Sequence, residues 1–496
     1  MRVRGLKWRA EWGAASDQGG TATSRKHRSR SVASIPAVAM EKESEAAAAC
    51  ARLGLLKASA SHAAGVFEHI PVALSPCPLP RAAYSTGRSV APRVTSLLHQ
   101  VASDKSLLRS LLGSAATSDA FTDNLWWVME QAEHSHSSAI DLGIHRVDFM
   151  LDHASSQLLM VEANTISASF AGIGPLVPQL QREFFSFSNS SLPGELPRNP
   201  AAEGVAEALS DAWRAYGNGA ARVLFVVQPT ERNLLDQHAL SWRLFMLHGV
   251  NSERYTLTQI AEHASLDNDG QLFIDGSLFS VVYFRAGYSP EDYPSEREWK
   301  ARRLLEVSRA VKCPSAAVQL AGAKKVQQQL AQADVLERLD PEGAEDMRHC
   351  FAGQYSFDGD DSEETRRMGL QNPNQYVLKP QREGGGNNLY GEELRQTLKD
   401  VSSASELKQY VLMDRIQPAS RECPMLRQGK LEMREAVAEV GMFTVHMAKS
   451  GETQRSACIG NLVRSKDARA DEGGVVAGNG VLDSAVLIET ASAESL

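Results

Sequence analysis

The sequence predicts a mixed α/β protein with more than one sheet, on three observations. Residues 200 to 312 alternate helix-spaced and strand-length apolar segments joined by short loops, the pattern of an α/β unit with a covered sheet. Two earlier strand-like segments, His145 to Leu151 and Leu158 to Asn164, flank the polar turn Asp152 to Gln157 and predict a hairpin. From about residue 376 the character changes: strands at Tyr376 to Lys379 and Gln409 to Ile416 bracket a glycine-rich stretch and a helix from Glu392 to Val401.

Along the chain, residues 1–40 form a basic extension that stands apart from the fold. A helix is expected from Glu41 through Leu56, and apolar spacing predicts helices over 93–113 and 120–134. A Ser-, Pro- and Asn-rich loop covers Ser186 to Ala201. Ala202 to Tyr216 reads as a helix, Arg222 to Val227 as a buried strand and Asp236 to Leu247 as a helix. Gln271 to Ile274 and Leu278 to Phe284, joined by Asp275-Gly276, give a second hairpin signal. Long helices are expected over Ser295 to Val311 and Val318 to Leu339, with 340–372 and 417–430 polar and peripheral. The expected units are 41–200, 201–312 and 313–496.

Bulk properties narrow the function. The chain of 496 residues is long enough for two or three packed domains. Its net charge of -8 disfavours a general nucleic-acid partner, which needs a basic surface. The longest apolar stretches, such as Val223 to Val227 and Phe279 to Phe284, are strand-length, so no membrane partner is expected. The six cysteines are too scattered for a zinc or redox motif and fit a reducing compartment. Residues 1–40 are basic, Ser-rich and acid-poor and lack an apolar signal core, as in a transit peptide; a disordered tail, or an extension upstream of a start at Met40, is the alternative reading.

The sharpest chemical feature is the segment from Val377 to Tyr390, VLKPQREGGGNNLY. It is neither a P-loop nor a dinucleotide fingerprint, because its lysine precedes the glycines on a strand. Three consecutive glycines let backbone N–H groups approach phosphate oxygens. Lys379 adds a fixed charge, and Glu383 is a hard oxygen ligand suited to Mg2+. A mobile surface hairpin can look the same; the flanking Lys and Glu favour a phosphate lid.

A second acidic site closes the first hairpin. Alternation puts Glu162 and Asn164 on one face of a strand, both able to ligate Mg2+. Ser167 and Ser169 follow as donors to a carboxylate or carbonyl, and on the partner strand Arg146 and Asp148 share a face, Arg146 able to fork onto a carboxylate. Further polar clusters follow predicted strands: Glu231, Arg232, Asn233 and Gln237 after one, Arg285 and Tyr288 after another. Ligands of open α/β sheets bind beyond such strand ends. Arg464 and Lys466 precede a second glycine-rich loop, Glu472 to Gly478.

Taken together, KPQREGGGNNLYGEE (379–393), EANTISASF (162–170), ERNLLDQ (231–237), VVYFRAGY (281–288) and KCPSAAVQLAGAKKVQQQL (312–330) resemble the eukaryotic glutathione synthetases. The FRAGY wording and the Glu472-Gly473-Gly474 ending are closer to plant and algal members than to animal ones.

The resemblance implies an ATP-grasp fold with an inserted Rossmann-like substrate-binding domain at 201–312 and a glycine-rich lid at about 376–400. A loop contacting the amino-acid acceptor lies at about 464–480. It implies ligation of γ-glutamylcysteine to glycine, with ATP as co-substrate and Mg2+ as cofactor, in a homodimer of the cytoplasm, the chloroplast or both. Residue by residue, Glu162, Asn164 and Glu383 match the family's Mg2+ ligands. Lys324, Lys379, Glu383, Gly384, Gly385, Gly386, Asn387, Asn388, Tyr390, Met413, Asp414, Arg415, Ile416, Glu439, Lys466 and Glu472 match its ATP contacts. Arg146, Ser167, Ala168, Ser169, Glu231, Asn233, Gln237, Arg285, Tyr288, Arg464, Val475 and Val476 match its dipeptide and glycine contacts. Arg146, Lys379 and Arg464 are the catalytic candidates.

Two departures matter. Asp414-Arg415 stands where Glu or Gln often precedes Lys or Arg, and Val476 stands where alanine is usual in the acceptor loop. Changes in this loop accompany β-alanine use in related enzymes, so a β-alanine ligase is one alternative. A nucleotide-binding scaffold without activity is another; retention of Glu162, Asn164, Lys379 and Glu383 weighs against it. No HRD or DFG segment supports a kinase.

Overall fold

The structure, a computed structural model, describes residues 38–59, 65–113, 119–132, 138–187, 190–381, 386–401, 404–476 and 478–489. Nearly all of the basic extension and the lid residues Glu383, Gly384 and Gly385 lie outside them.

The largest sheet is seven-stranded and is built on two long strands, Lys430–Lys449 and Glu452–Asp467. Its order is Arg421–Arg427, Val72–Ala73, Gly480–Asp483, Glu452–Asp467, Lys430–Lys449, Ile140–Leu151, Leu158–Asn164. Arg421–Arg427 also pairs with the first part of Lys430–Lys449, so five of the strands close into a ring. The C-terminal half of Lys430–Lys449 is apolar on both faces because both are covered. Val440 and Met442 share a core with Val94 and Leu98 of the helix Arg81–Ser103. Phe443 and Val445 share another with Val205 and Leu209 of the helix Ala201–Tyr216. Burying each such side chain contributes about 1.5–3 kcal/mol, which fixes the register.

A second sheet has six strands. Arg222–Val226 runs parallel to Ser252–Tyr255 on one side and to Ser277–Phe284 on the other. Val226 lies opposite Phe284, so the loops after both strands leave from the same edge. A third, four-stranded antiparallel sheet carries Tyr376–Pro380, Tyr410–Asp414 and the short Leu389–Tyr390.

The structure corrects several sequence expectations. The helix placed over 93–113 starts at Arg81 and breaks at Asp104, whose carboxylate accepts the backbone N–H groups of Ser106 and Leu107 and caps the next helix. The helix of Ser295 to Val311 ends at Val307, and Val311–Cys313 joins the six-stranded sheet instead. The long helix of 318–339 is three short ones, Ala316–Ala321, Lys324–Leu330 and Ala333–Leu339. The break lets the Gln327 amide bond both backbone groups of Ala163, at 2.8 and 3.0 Å. It also sets Lys324 beside Glu162. Segment 417–430 is not peripheral: Cys423, Met425 and Leu426 on Arg421–Arg427 are fully buried. Nor is all of 340–372, since Met347 and Phe357 are core residues.

All six cysteines are free, and five of them are buried. Among the described residues no helix is long and apolar enough to cross a membrane.

Candidate active site

The three sheets meet around one cavity of about 740 Å³. The seven-stranded sheet supplies its charged floor by simple register. Arg146 lies opposite Asn164 and Asp148 opposite Glu162, while Glu439 lies opposite Arg464 and Val437 opposite Lys466. Residues two apart share a face, so Arg146, Asp148, Glu162, Asn164, Glu439, Arg464 and Lys466 form one polar patch on neighbouring strands. Gly441 lies opposite Asp148; a Cβ there would come within 2.5 Å of the Asp148 carboxylate and 2.7 Å of Arg146 Cδ. Only glycine leaves room for the ion pair to lie across this strand.

Asp148 is the floor's anchor. It is fully buried and accepts from Arg146 Nε and Nη2 at 2.6 and 2.7 Å, from Asn164 Nδ2 at 2.9 Å and from Arg464 Nη2 at 3.2 Å. The fork of Arg146 is therefore spent on Asp148, and Nη1 remains to donate to the loop after Asn164, 3.4 Å from the Ser169 carbonyl. Arg464 also binds Glu439 directly. Burial disfavours the Glu439 carboxylate and raises its pKa, and burial is outweighed at Arg464, whose guanidinium is held charged by Glu439 and Asp148.

Glu162 sits between two lysines. Lys324 Nζ is 3.1 Å away, and Lys379 Nζ donates to the Val161 carbonyl at 2.7 Å. Burial opposes the Glu162 charge, but Lys324 and Lys379 outweigh it and hold the carboxyl well below its usual range. For Lys379 burial wins and pushes the ammonium down to about 8. Asn164 spends its NH2 group on Asp148 and on the Arg146 carbonyl, which leaves its amide oxygen for another partner.

The second wall is the loop after Asn164 together with the strand ends of the six-stranded sheet. Ser167 and Phe170 have φ of 55° and 73°, a left-handed backbone that costs a non-glycine residue about 1–3 kcal/mol. The loop is held in that shape from behind. Arg285, 2% exposed, donates to the Ala168 carbonyl at 2.7 Å and to Ser169 Oγ at 2.9 Å, and accepts Ser167 Oγ–H on its own carbonyl at 2.8 Å. Asp236, fully buried, accepts the N–H groups of Phe170, Gly172 and Ile173 at 2.9, 2.7 and 3.2 Å. Glu231 accepts from Asn233 N at 2.7 Å and Gln237 Nε2 at 2.5 Å. Tyr288 Oη accepts from Gln228 at 3.1 Å.

The third wall is the four-stranded sheet. Val377 pairs with both Met413 and Tyr390. The Arg415 guanidinium lies over the Tyr390 ring at 5.3 Å and bonds Asp471 at 2.8 Å. Gly386 N donates to Glu472 at 3.1 Å, so the edge of the lid meets the C-terminal loop. Lys466 reaches the Asp471 carbonyl.

Of the described candidates, Arg146, Glu162, Asn164, Ser167, Ala168, Ser169, Glu231, Asn233, Gln237, Arg285, Tyr288, Lys379, Gly386, Asn388, Tyr390, Met413 to Ile416, Glu439, Arg464, Lys466, Glu472, Val475 and Val476 line this one cavity. Lys324 and Asn387 do not line it; Lys324 reaches it through Glu162. Sequence reading passed over Asp236, Gln228 and the anchoring role of Asp148. Asp236 stood in the ERNLLDQ segment, in the first turn of its helix, where an acidic residue reads as a helix-end charge.

Five buried polar atoms of the lining have no hydrogen-bond partner: Arg232 Nε, Asn233 Oδ1, Gln237 Oε1, Arg285 Nε and Glu472 Oε1. Buried polar atoms are almost always paired, so these point to a polar ligand at both ends of the cavity. The donor set fits a hard divalent cation as well: Glu162, Glu439 and Glu472 offer carboxylates, Asn164 an amide oxygen, and among the described residues no thiol or imidazole lines the cavity.

Comparison with known proteins agrees. The family model for the eukaryotic glutathione synthase ATP-binding domain matches residues 39–487. The chain is 41% identical to the chloroplastic glutathione synthetase of Solanum lycopersicum, over 85% of this chain and 78% of that one. It is 40% identical to the chloroplastic enzyme of Arabidopsis thaliana, over 85% and 79%, and 38% identical to the glutathione synthetase of Homo sapiens, over 84% and 90%. In fold it resembles a glutathione synthetase-like effector of Globodera pallida, at a TM-score of 0.72 and 19% identity over 92% of this chain and 98% of that one.

Proposed function

This chain belongs to the eukaryotic glutathione synthase family, and from that premise we propose how its cavity works. It is an ATP-dependent ligase of glutathione synthesis with the ATP-grasp fold. The observation that carries the site assignment is the pair of unsatisfied ends. Arg232 Nε, Asn233 Oδ1, Gln237 Oε1 and Arg285 Nε lack partners at the strand-end wall, and Glu472 Oε1 lacks one beside the lid.

The dipeptide lies against the strand-end wall, its polar groups taken by Glu231, Asn233, Gln237, Arg285 and Tyr288. Ser167, Ala168 and Ser169 bring its terminal carboxylate to Arg146 and Arg464. The nucleotide lies between the floor and the four-stranded sheet. Tyr390 and Met413, Asp414, Arg415 and Ile416 receive the base, and Lys379, Lys466 and the lid from Glu383 to Asn388 receive the phosphates. Glu162, Asn164 and Glu383 hold Mg2+, which when bound neutralises charge on the phosphate oxygens.

A carboxylate is a poor electrophile, so the γ-phosphoryl group passes from ATP to it, releasing ADP. The acceptor's neutral amine then attacks the acyl carbon, the C–O bond to phosphate breaks, and the ammonium loses its proton. Negative charge grows on oxygen in both steps. Arg146, Arg464 and Lys379 are fixed cations already oriented by Asp148, Glu439 and the Val161 carbonyl, so they stabilise that charge without reorganising. Lid closure keeps water from the acyl phosphate.

Val475 and Val476 line the acceptor end and make glycine, the smallest amino acid, the best fit. Measuring tripeptide and phosphate release with glycine and then β-alanine tests this. Equal or better turnover with β-alanine would overturn the glycine assignment, and no phosphate release with either would overturn the site.

The protein acts as a homodimer in the plastid, the cytoplasm or both. Its helix Leu234–His248 exposes Trp242, Phe245, Met246 and Leu247 at 63, 45, 58 and 50%, an apolar patch of the kind a partner subunit covers. Mass spectrometry of the mature N-terminus and light scattering check these two points.

A further inference from the structure

Behind the cavity floor, on the face of Ile140–Leu151 opposite Arg146, lies a chain of side chains that the reaction does not touch, two of them buried and Asp141 part-exposed. His99, on the helix Arg81–Ser103, bonds Asp141 through Nδ1 and His145 through Nε2, the latter at 2.7 Å. His145 Nδ1 lies 3.3 Å from the carbonyl of Thr165. His99 is 3% exposed and His145 fully buried. Thr165 opens the strained loop that carries Ser167, Ala168 and Ser169.

Hydrogen-bond bookkeeping fixes every proton in the chain. A carbonyl only accepts, so His145 must carry its proton on Nδ1. Burial keeps His145 neutral, which makes its Nε2 an acceptor. His99 must then donate from Nε2, and the remaining proton sits between His99 Nδ1 and Asp141. Burial opposes the Asp141 charge, but the adjacent His99 outweighs it and holds the Asp141 carboxyl below its usual range. The His446 ring stacks on His99 at 4.0 Å and 17°, and burial pushes it down to about 4, so it stays neutral.

The backbone makes room for this chain. Gly143 packs against it so closely that a Cβ would lie 1.9 Å from His145 Nε2 and 2.3 Å from His99 Nε2. No side chain other than glycine's hydrogen permits the His99–His145 bond.

We propose that Asp141, His99 and His145 are positioning residues that hold the Thr165 carbonyl and thereby set the dipeptide-binding loop, as a third pin beside Arg285 and Asp236. A transition-metal site on His99, Asp141 and His446, whose ligand atoms lie within 4.8 Å of one another, competes for the same groups. It is disfavoured because both ring nitrogens of His99 are already bonded and the His99 and His446 rings are stacked in nearly parallel planes.

The inference rests on the loop binding the dipeptide, and the test separates the two. In 15N-histidine-labelled wild-type protein, nuclear magnetic resonance should show His145 in the Nδ1–H form, with or without substrates. His99→Leu should raise KM for γ-glutamylcysteine about tenfold, with KM for ATP within about twofold. His145→Asn, whose amide can still donate to Thr165, should recover most of the loss and serves if His99→Leu folds poorly. An Nε2–H tautomer at His145, parallel rises in both KM values, or a stoichiometric transition-metal ion in the purified wild type would overturn the proposal. Absence of dipeptide-dependent turnover in the wild type would instead sink the loop assignment, leaving the tautomer to decide the relay.

Discussion

The two walls of the cavity are built differently. The strand-end wall is preformed: Ser167 and Phe170 are strained, and buried Arg285 and Asp236 hold their loop at six backbone and hydroxyl atoms. The nucleotide wall is light. Tyr390, Asp414 and Arg415 are only partly buried on a four-stranded sheet, and the lid edge touches the rest through the Gly386–Glu472 bond. The difference teaches where each kind of binding energy comes from. A rigid wall discriminates substrates by shape, because an analogue leaves buried polar atoms unpaired. A light wall closes on its ligand and excludes water as it does so.

The strongest way to break this contrast is to release the rigid wall. Asp236→Ala leaves Arg285 and three backbone N–H groups without their carboxylate, and should cost about 3–5 kcal/mol of stability. Thermal melting and KM for the dipeptide would check it; a change in KM for ATP alone would contradict the assignment of walls. Next, Arg464→Met should lower kcat about 10²–10³-fold, read by phosphate release, with small effects on either KM.

Lys379 sharpens the nucleotide side. With its pKa pushed down to about 8, the ammonium is charged below pH 8 and loses its proton as pH rises through that value. The value of kcat/KM for ATP should therefore fall above about pH 8, and Lys379→Arg, always charged, should remove that limb. A flat profile in the wild type would exclude Lys379 as the phosphate cation. The smallest effect should come from Gly385→Val in the lid: turnover falls roughly tenfold while the melting temperature hardly moves, because a lid acts in closure rather than in packing. Equal turnover would contradict the lid.

Much of the cavity was legible from short segments, because its chemistry sits at strand ends where charged residues interrupt apolar runs. The hairpin carrying Arg146, Glu162 and Asn164 was readable from two strand-length segments and the polar turn between them. The strand Lys430–Lys449 was not, because its C-terminal half is buried on both faces and shows no period of two. The apolar spacing of 318–339 was helical throughout, and only the tertiary contact of Gln327 with Ala163 shows why the helix is broken. Asp236 was hidden because its partners are backbone N–H groups 63 to 66 residues away, which no local pattern reveals.

The cysteines have one last consequence. Burial pushes Cys50 and Cys423 up to about 12 and Cys77 and Cys350 up to about 11, and raises Cys313 and Cys458 as well. Only a thiolate attacks a disulfide. A catalyst that binds one thiol and releases another works in continual contact with exchange partners, and this one keeps five of its six cysteines buried away from them. Mixed disulfides with the product should not accumulate on those five as the surroundings of the enzyme become oxidising.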